Sequence, residues 1–109
     1  MSIFVYKIAS SSLTPLYNAV RGNHVEITVD LIQAGANAND GAGKGNDTPL
    51  FIAAVMGYTE IVKVLLRAGA NPKGNNSFTP LEAAQINNHT DIVDILTEAE
   101  KNLANTKNI

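Results

Sequence analysis

Three side chains in this sequence have a type and a setting that could support chemistry. Lys44 lies in GAGKGNDTPL, residues 41–50, a glycine-rich loop that runs straight into a helix-like stretch. Loops of that kind hold phosphates, because exposed backbone N–H groups and a helix N-terminus both attract anions. His24 and His89, the only 2 histidines, are of the type that ligates metals or acts as a general base.

None of the three fits its pattern. A phosphate loop needs Gly-Lys followed by Ser or Thr, and Lys44 is followed by Gly45. A dinucleotide loop needs a third glycine where Asn46 stands, and no strand of a βαβ unit precedes it. Lys-Gly-Asn also recurs at 73–75, in KGNNSFTPL, without a glycine run. The stretch reads as a hairpin tip. Each histidine directly follows an asparagine, and the two lie too far apart along the chain to share an ion. Each is expected to hydrogen-bond within its own turn. The absence of cysteine removes disulfides, thiolate zinc sites and a cysteine nucleophile, and no Ser/His/Asp combination forms a local signature. No catalytic residue, no metal and no cofactor is expected; the chain does not read as an enzyme.

The elements that carry these residues are set by the whole chain. At 109 residues it is long enough for one modest core. Charged residues make up 17%, the net charge is −2 and the pI is about 5.5, whereas a reader of nucleic acid shows a basic face. The apolar run Ile3–Ile8, IFVYKI, is too short for a signal-peptide core or a bilayer span. A soluble, intracellular protein is expected, in the cytoplasm or equally in a nuclear or effector setting, with neither nucleic acid nor membrane as partner.

One unit is repeated. Thr14-Pro15-Leu16, Thr48-Pro49-Leu50 and Thr79-Pro80-Leu81 are 34 and then 31 positions apart. Each leads into a short apolar stretch, then into VEI at 25–27, TEI at 59–61 or TDI at 90–92. The first two units close with QAGAN at 33–37 and RAGAN at 67–71. Thr-Pro starts a helix: the hydroxyl caps free N–H groups, and proline has no N–H to lose at the first position. Asn23, Gly57 and Asn88 end that short helix, being residue types that accept φ > 0. A second helix follows, with Thr59 and Thr90 as candidate caps and Glu26, Glu60 and Asp91 in its positive first turn. Ile61, Val62, Leu65 and Leu66 form its apolar stripe, and Gly35 and Gly69 end it.

This unit resembles the ankyrin repeat, a β-turn plus two helices carrying T-P-L-H-x-A in about 33 residues. The resemblance spans residues 14 to about 103 and departs from the pattern at the usual histidine, where Tyr17, Phe51 and Glu82 stand. It implies an all-α solenoid of three helix-turn-helix repeats, 14–47, 48–78 and 79–104, joined by hairpin-like links. Residues 1–13 are expected to cap the first repeat, and 105–109 to form a frayed tail. Polar Gln85, Thr97 and Glu100 replace Ala54, Leu66 and Gly69 of the middle unit, as a terminal unit requires. The last helix is expected to run on past its neighbours, with Leu96, Ala99 and Leu103 on one side.

The resemblance also implies non-catalytic binding of a partner protein through the concave face, made of link tips and first helices. Carried over position by position, the outward residues are Leu13, Asn18, Arg21 and Gly22 in the first unit. In the second they are Asp47, Ile52, Val55 and Met56, with Lys44 at the tip. In the third they are Phe78, Ala83, Ile86 and Asn87. Ile52, Val55, Met56, Phe78 and Ile86 make this face unusually apolar, and such a patch marks an interaction site. Phe78 is expected beside Met56 and Ile52. The alternative is a self-associating structural module, a homo-oligomer or subunit using residues 3–8 as a pairing strip.

Overall fold

The computed structural model describes residues 13–107. The expected N-terminal cap and the pairing strip Ile3–Ile8 fall on residues 1–12, outside the described residues. Six helices are present: α1 Pro15–Arg21, α2 Val25–Gln33, α3 Pro49–Met56, α4 Thr59–Arg67, α5 Pro80–Ile86 and α6 Thr90–Lys107. Among the described residues β pairing is confined to an isolated antiparallel bridge between Ala42 and Asp47.

The Thr-Pro signals act as their chemistry requires. The hydroxyl oxygens of Thr14, Thr48 and Thr79 accept from the backbone N–H groups of Tyr17, Phe51 and Glu82 at 3.0, 3.1 and 3.2 Å. Glu82 returns the favour by accepting from the Thr79 N–H at 2.9 Å, closing a capping box. The turns after α1, α3 and α5 are left-handed at Asn23 (φ 60°), Gly57 (φ 81°) and Asn88 (φ 62°). Gly57 is doubly required, since a Cβ there would also meet the His89 ring at 2.7 Å.

The second helices begin differently from expectation. Thr59 and Thr90 are the first helical residues, not caps; Tyr58 holds the cap position of α4 without a side-chain capping bond. The backbone carbonyls of Tyr58 and His89 accept the first intrahelical bonds, from Val62 and Val93, both at 3.0 Å. Their side chains turn instead to the preceding unit. The Tyr58 hydroxyl donates to the Arg21 carbonyl at 3.4 Å, and His89 Nε2 lies 3.0 Å from the Val55 carbonyl oxygen. A carbonyl only accepts, so Nε2 carries the proton. His89 therefore ties two units together, where a bond within its own turn was expected. Arg21 and Val55 are equivalent positions in the last turn of a first helix, where carbonyls lack an intrahelical partner.

These ties stack the helices in two layers, α1, α3 and α5 in one and α2, α4 and α6 in the other. Leu16, Val20, Leu50, Ile61, Val62, Leu65, Ile92 and Leu96 fill the core between them. Ala53, Ala54 and Ala84, each fully buried, let α3 and α5 approach closely. The C-terminal end is polar: Gln85 and Thr97 are exposed and Glu100 is half-buried. Helix α6 continues for 18 residues, so positions 105–107, expected to fray, are helical.

Candidate protein-binding face

The loop that opened the question is a closed hairpin. Ala42 and Asp47 exchange backbone hydrogen bonds at 2.9 and 3.1 Å, and the Asn46 N–H donates to the Gly43 carbonyl at 3.1 Å. Gly43 and Asn46 both have positive φ, 73° and 54°. The N–H groups of Ala42, Asn46 and Asp47 are thus already donated within the loop, which cannot offer them to a phosphate. Asn76 of the next link donates to the Gly45 carbonyl at 3.0 Å and to Asp47 Oδ1 at 3.1 Å. Asn75 donates to the Asn46 carbonyl at 3.4 Å. Asp47 therefore holds the second link onto the first hairpin and is half-buried, a different job from the polar rim. Lys44 lies at the tip and is exposed.

The anchored link delivers Phe78 to the first helix of the preceding unit. Its ring meets Phe51 edge to face, centroids 5.8 Å apart and planes at 71°, in the geometry aromatic quadrupoles favour. Phe51 lies in the first turn of α3, so the aromatic contact is at the N-terminal end of that helix. Met56 follows Phe51 by five residues, about 7.5 Å further along the axis. Ile52 and Met56, four residues apart, share one face of α3, and the Phe78–Phe51 contact lies at its N-terminal end. Phe78 keeps 43% of its surface exposed, Met56 48% and Ile86, at the end of α5, 69%. With Ile27 they are the large apolar residues most exposed among the described residues.

The other expected positions divide. Arg21, Gly22 and Asn87 are exposed, while Leu13, Asn18, Ile52 and Val55 are half-buried. Ile52 packs partly against the core and presents only its remainder outward. Ala83, placed outward by the repeat pattern, is fully buried. It occupies the position of Ile52, which lies toward the neighbouring first helix; a methyl is too short to emerge. The Asn87 side chain also donates back to the Ala83 carbonyl at 2.8 Å.

Two further residues were not named by the outward pattern. Phe51 and Tyr17 occupy the place where the repeat pattern carries histidine, and that substitution was the available signal. Tyr17 is buried, and burial pushes its phenol above the usual tyrosine range. The Asp47 carboxylate raises it further and the Arg21 guanidinium opposes both. Asp47 and Arg21 thus both act on the buried Tyr17 phenol. Among the described residues no three His, Asp or Glu side chains converge to hold a metal ion. No helix among them is long and apolar enough to cross a membrane.

Comparison with known proteins agrees with this architecture. A family model described as ankyrin repeats (3 copies) matches residues 16–107. The chain is 40% identical over 57 residues to the human 2-5A-dependent ribonuclease, covering 52% of this chain and 8% of that protein. It is 37% identical over 65 residues to the glycerophosphocholine phosphodiesterase gde1 of Schizosaccharomyces pombe, 60% of this chain and 6% of that protein. With the ankyrin repeat and KH domain-containing protein mask-1 of Caenorhabditis elegans it shares 37% over 59 residues, 54% and 2% respectively. The matched stretches are thus less than a tenth of each of these relatives.

Proposed function

This chain belongs to the ankyrin-repeat family, whose repeats generally mediate protein–protein interaction, and we propose that it binds a partner protein, without catalysis, through the face carrying Phe78, Met56 and Ile86. Two of the relatives bear enzyme names, but the match to each is a small part of a much longer protein. The observation that carries the reading is the exposure of three large apolar side chains, Phe78 in the second link and Met56 and Ile86 at the ends of α3 and α5. The Phe78 ring is held in place by Phe51 at 5.8 Å and by the asparagine bonds behind it. A preordered aromatic buries much area on binding while few torsions remain to be frozen, and methionine adapts to an irregular partner. Arg21, Lys44 and Asn87 supply a polar rim, with Asn18, Val55 and Leu13 partly covered beneath it.

The test is quantitative capture of partners from native lysate by wild-type protein, Phe78→Ala, and Asp94→Ala on an exposed position of α6. Phe78→Ala is expected to lose a specific set of partners, with affinity lowered by about 2 kcal/mol or more as for a hot spot. Asp94→Ala is expected to keep them. Thermal melts run alongside should show Phe78→Ala folded. If Phe78→Ala retained every partner that wild type captures, this face would not be the binding site.

A further inference from the structure

The charges of this chain are unevenly spread. Helices α2, α4 and α6 hold seven of the 10 Asp and Glu residues and four of the 8 Lys and Arg. The described remainder, the first helices and the links, holds three of each: Asp40, Asp47 and Glu82 against Arg21, Lys44 and Lys73. Those three carboxylates are engaged or set aside. Glu82 closes the capping box of α5, and Asp47 Oδ1 accepts from Asn76 at 3.1 Å. Asp40 lies with Thr14, Leu31 and Ala34 at the outer end of the first unit. Arg21 and Asp47 act in opposite directions on the Tyr17 phenol, so their fields oppose each other there.

Lys44 and Lys73 are the exposed cations beside Phe78. Lys44 precedes Gly45, whose carbonyl accepts from Asn76, two residues before Phe78, at 3.0 Å. Lys73 precedes Gly74, where a Cβ would meet Pro80 Cδ at 3.2 Å and Thr48 Oγ1 at 3.6 Å, the N-terminal ends of α5 and α3. The same Thr48 hydroxyl oxygen accepts from the N–H of Phe51, on which the Phe78 ring rests. The two lysines and the aromatic pair thus share one end of α3. We propose that the partner segment is acidic as well as apolar: a peptide stretch whose large apolar side chains pack on Phe78 while neighbouring Asp or Glu side chains pair with Lys44 and Lys73. The inference rests on the proposed binding face and adds the charge of its occupant. The net charge of −2 does not oppose it. The acidic helices lie a layer away, about 8–10 Å, and the Debye length at physiological ionic strength is about 8 Å. Local charge therefore sets the preference, acting mainly on association rate and choice of partner.

A random peptide library displayed on phage and selected on the immobilised full chain tests this. The expected result is enrichment of peptides that combine large apolar residues with an excess of Asp and Glu over Lys and Arg. Phe78→Ala should abolish the enrichment. The double variant Lys44→Glu/Lys73→Glu should instead enrich apolar peptides with an excess of Lys and Arg. It should also bind an acidic peptide selected on wild type about fivefold or more weakly at low ionic strength, a gap that closes as salt is added. Lys63→Glu, exposed on α4, should change neither result, and circular dichroism should show every variant helical. Enrichment that needs Phe78 but carries no acidic excess, or that the double reversal leaves unchanged, would overturn the proposal and leave the binding face standing. Enrichment independent of Phe78, or none at all, would overturn the face and the proposal together. A poly(U) oligonucleotide that displaced the selected peptides at physiological salt would assign the lysines to nucleic acid instead.

Discussion

Replacing Leu65 with alanine opens a hole in the middle of the stack. Leu65 is 0% exposed on α4, which has α2 on one side and α6 on the other. Three carbons are lost, worth about 2.4 kcal/mol at about 0.8 kcal/mol per buried carbon. Helices on both sides resist collapse, and a residual cavity of about 60 Å3 adds about 1.5 kcal/mol at about 24 cal/mol per Å3. The sum, about 4 kcal/mol, is a large part of the roughly 5–15 kcal/mol that holds a domain folded. Leu66, next in the chain, is half-buried. Leu66→Ala therefore leaves less of a cavity, and the change in helix propensity is the same in both variants. Urea titrations followed by far-UV circular dichroism should show Leu65→Ala the more destabilised by about 2 kcal/mol. Its melting temperature should fall by about 15–30 °C, from about 4–8 °C per kcal/mol for a chain of this size. Equal losses in the two variants, or a Leu65→Ala loss under about 1 kcal/mol, would mean that α4 is not gripped from both sides.

Two other expectations concern backbone and charge. Asn23→Ala and Asn88→Ala should each destabilise by about 1 kcal/mol, because a Cβ is strained at their φ of 60° and 62°, while the glycine variants should match wild type; equal midpoints for Ala and Gly would contradict the left-handed turns. Tyr17 has a folded-state pKa above the ordinary 10.0, so its neutral phenol favours the folded chain. That stability is complete below pH 10 and is lost as pH rises through the folded value. Tyr17→Phe should therefore lose less stability than wild type on going from pH about 8 to about 11. Parallel curves of urea midpoint against pH would show that the phenol is not in the buried setting described.

The signals legible in the sequence were those whose physics is local. Thr-Pro caps, Asn or Gly after a helix end, and acidic residues in a first turn each depend on a few neighbouring groups, and the structure places them as read. What escaped depends on partners a repeat away. Thr59 looked like a cap, but the chain gives that position to Tyr58, whose hydroxyl is committed to Arg21 of the preceding unit. Ala83 looked outward by register, yet a methyl between neighbouring helices does not reach solvent. The edge-to-face contact of Phe78 with Phe51 was not read either, since it depends on where a link held by Asn75 and Asn76 returns. The exposed apolar positions Met56, Phe78 and Ile86 were legible from the repeat register, and the pairing of Phe78 with Phe51 was not.

The hydrogen bonds that tie one unit to the next join residues 29 to 37 positions apart. Each closes a loop of about one repeat and no more. Because closure entropy grows as (3/2)RT ln n, pairing residues about 100 apart would cost about 1 kcal/mol more per closure. This architecture never incurs that cost. A fourth unit added to the stack would form its contacts at the same sequence separation as the third. Its folding rate, which follows mean contact separation, would not suffer from the longer chain. The number of repeats is thereby uncoupled from the difficulty of folding them, and selection can alter the length of the stack without first solving a new folding problem.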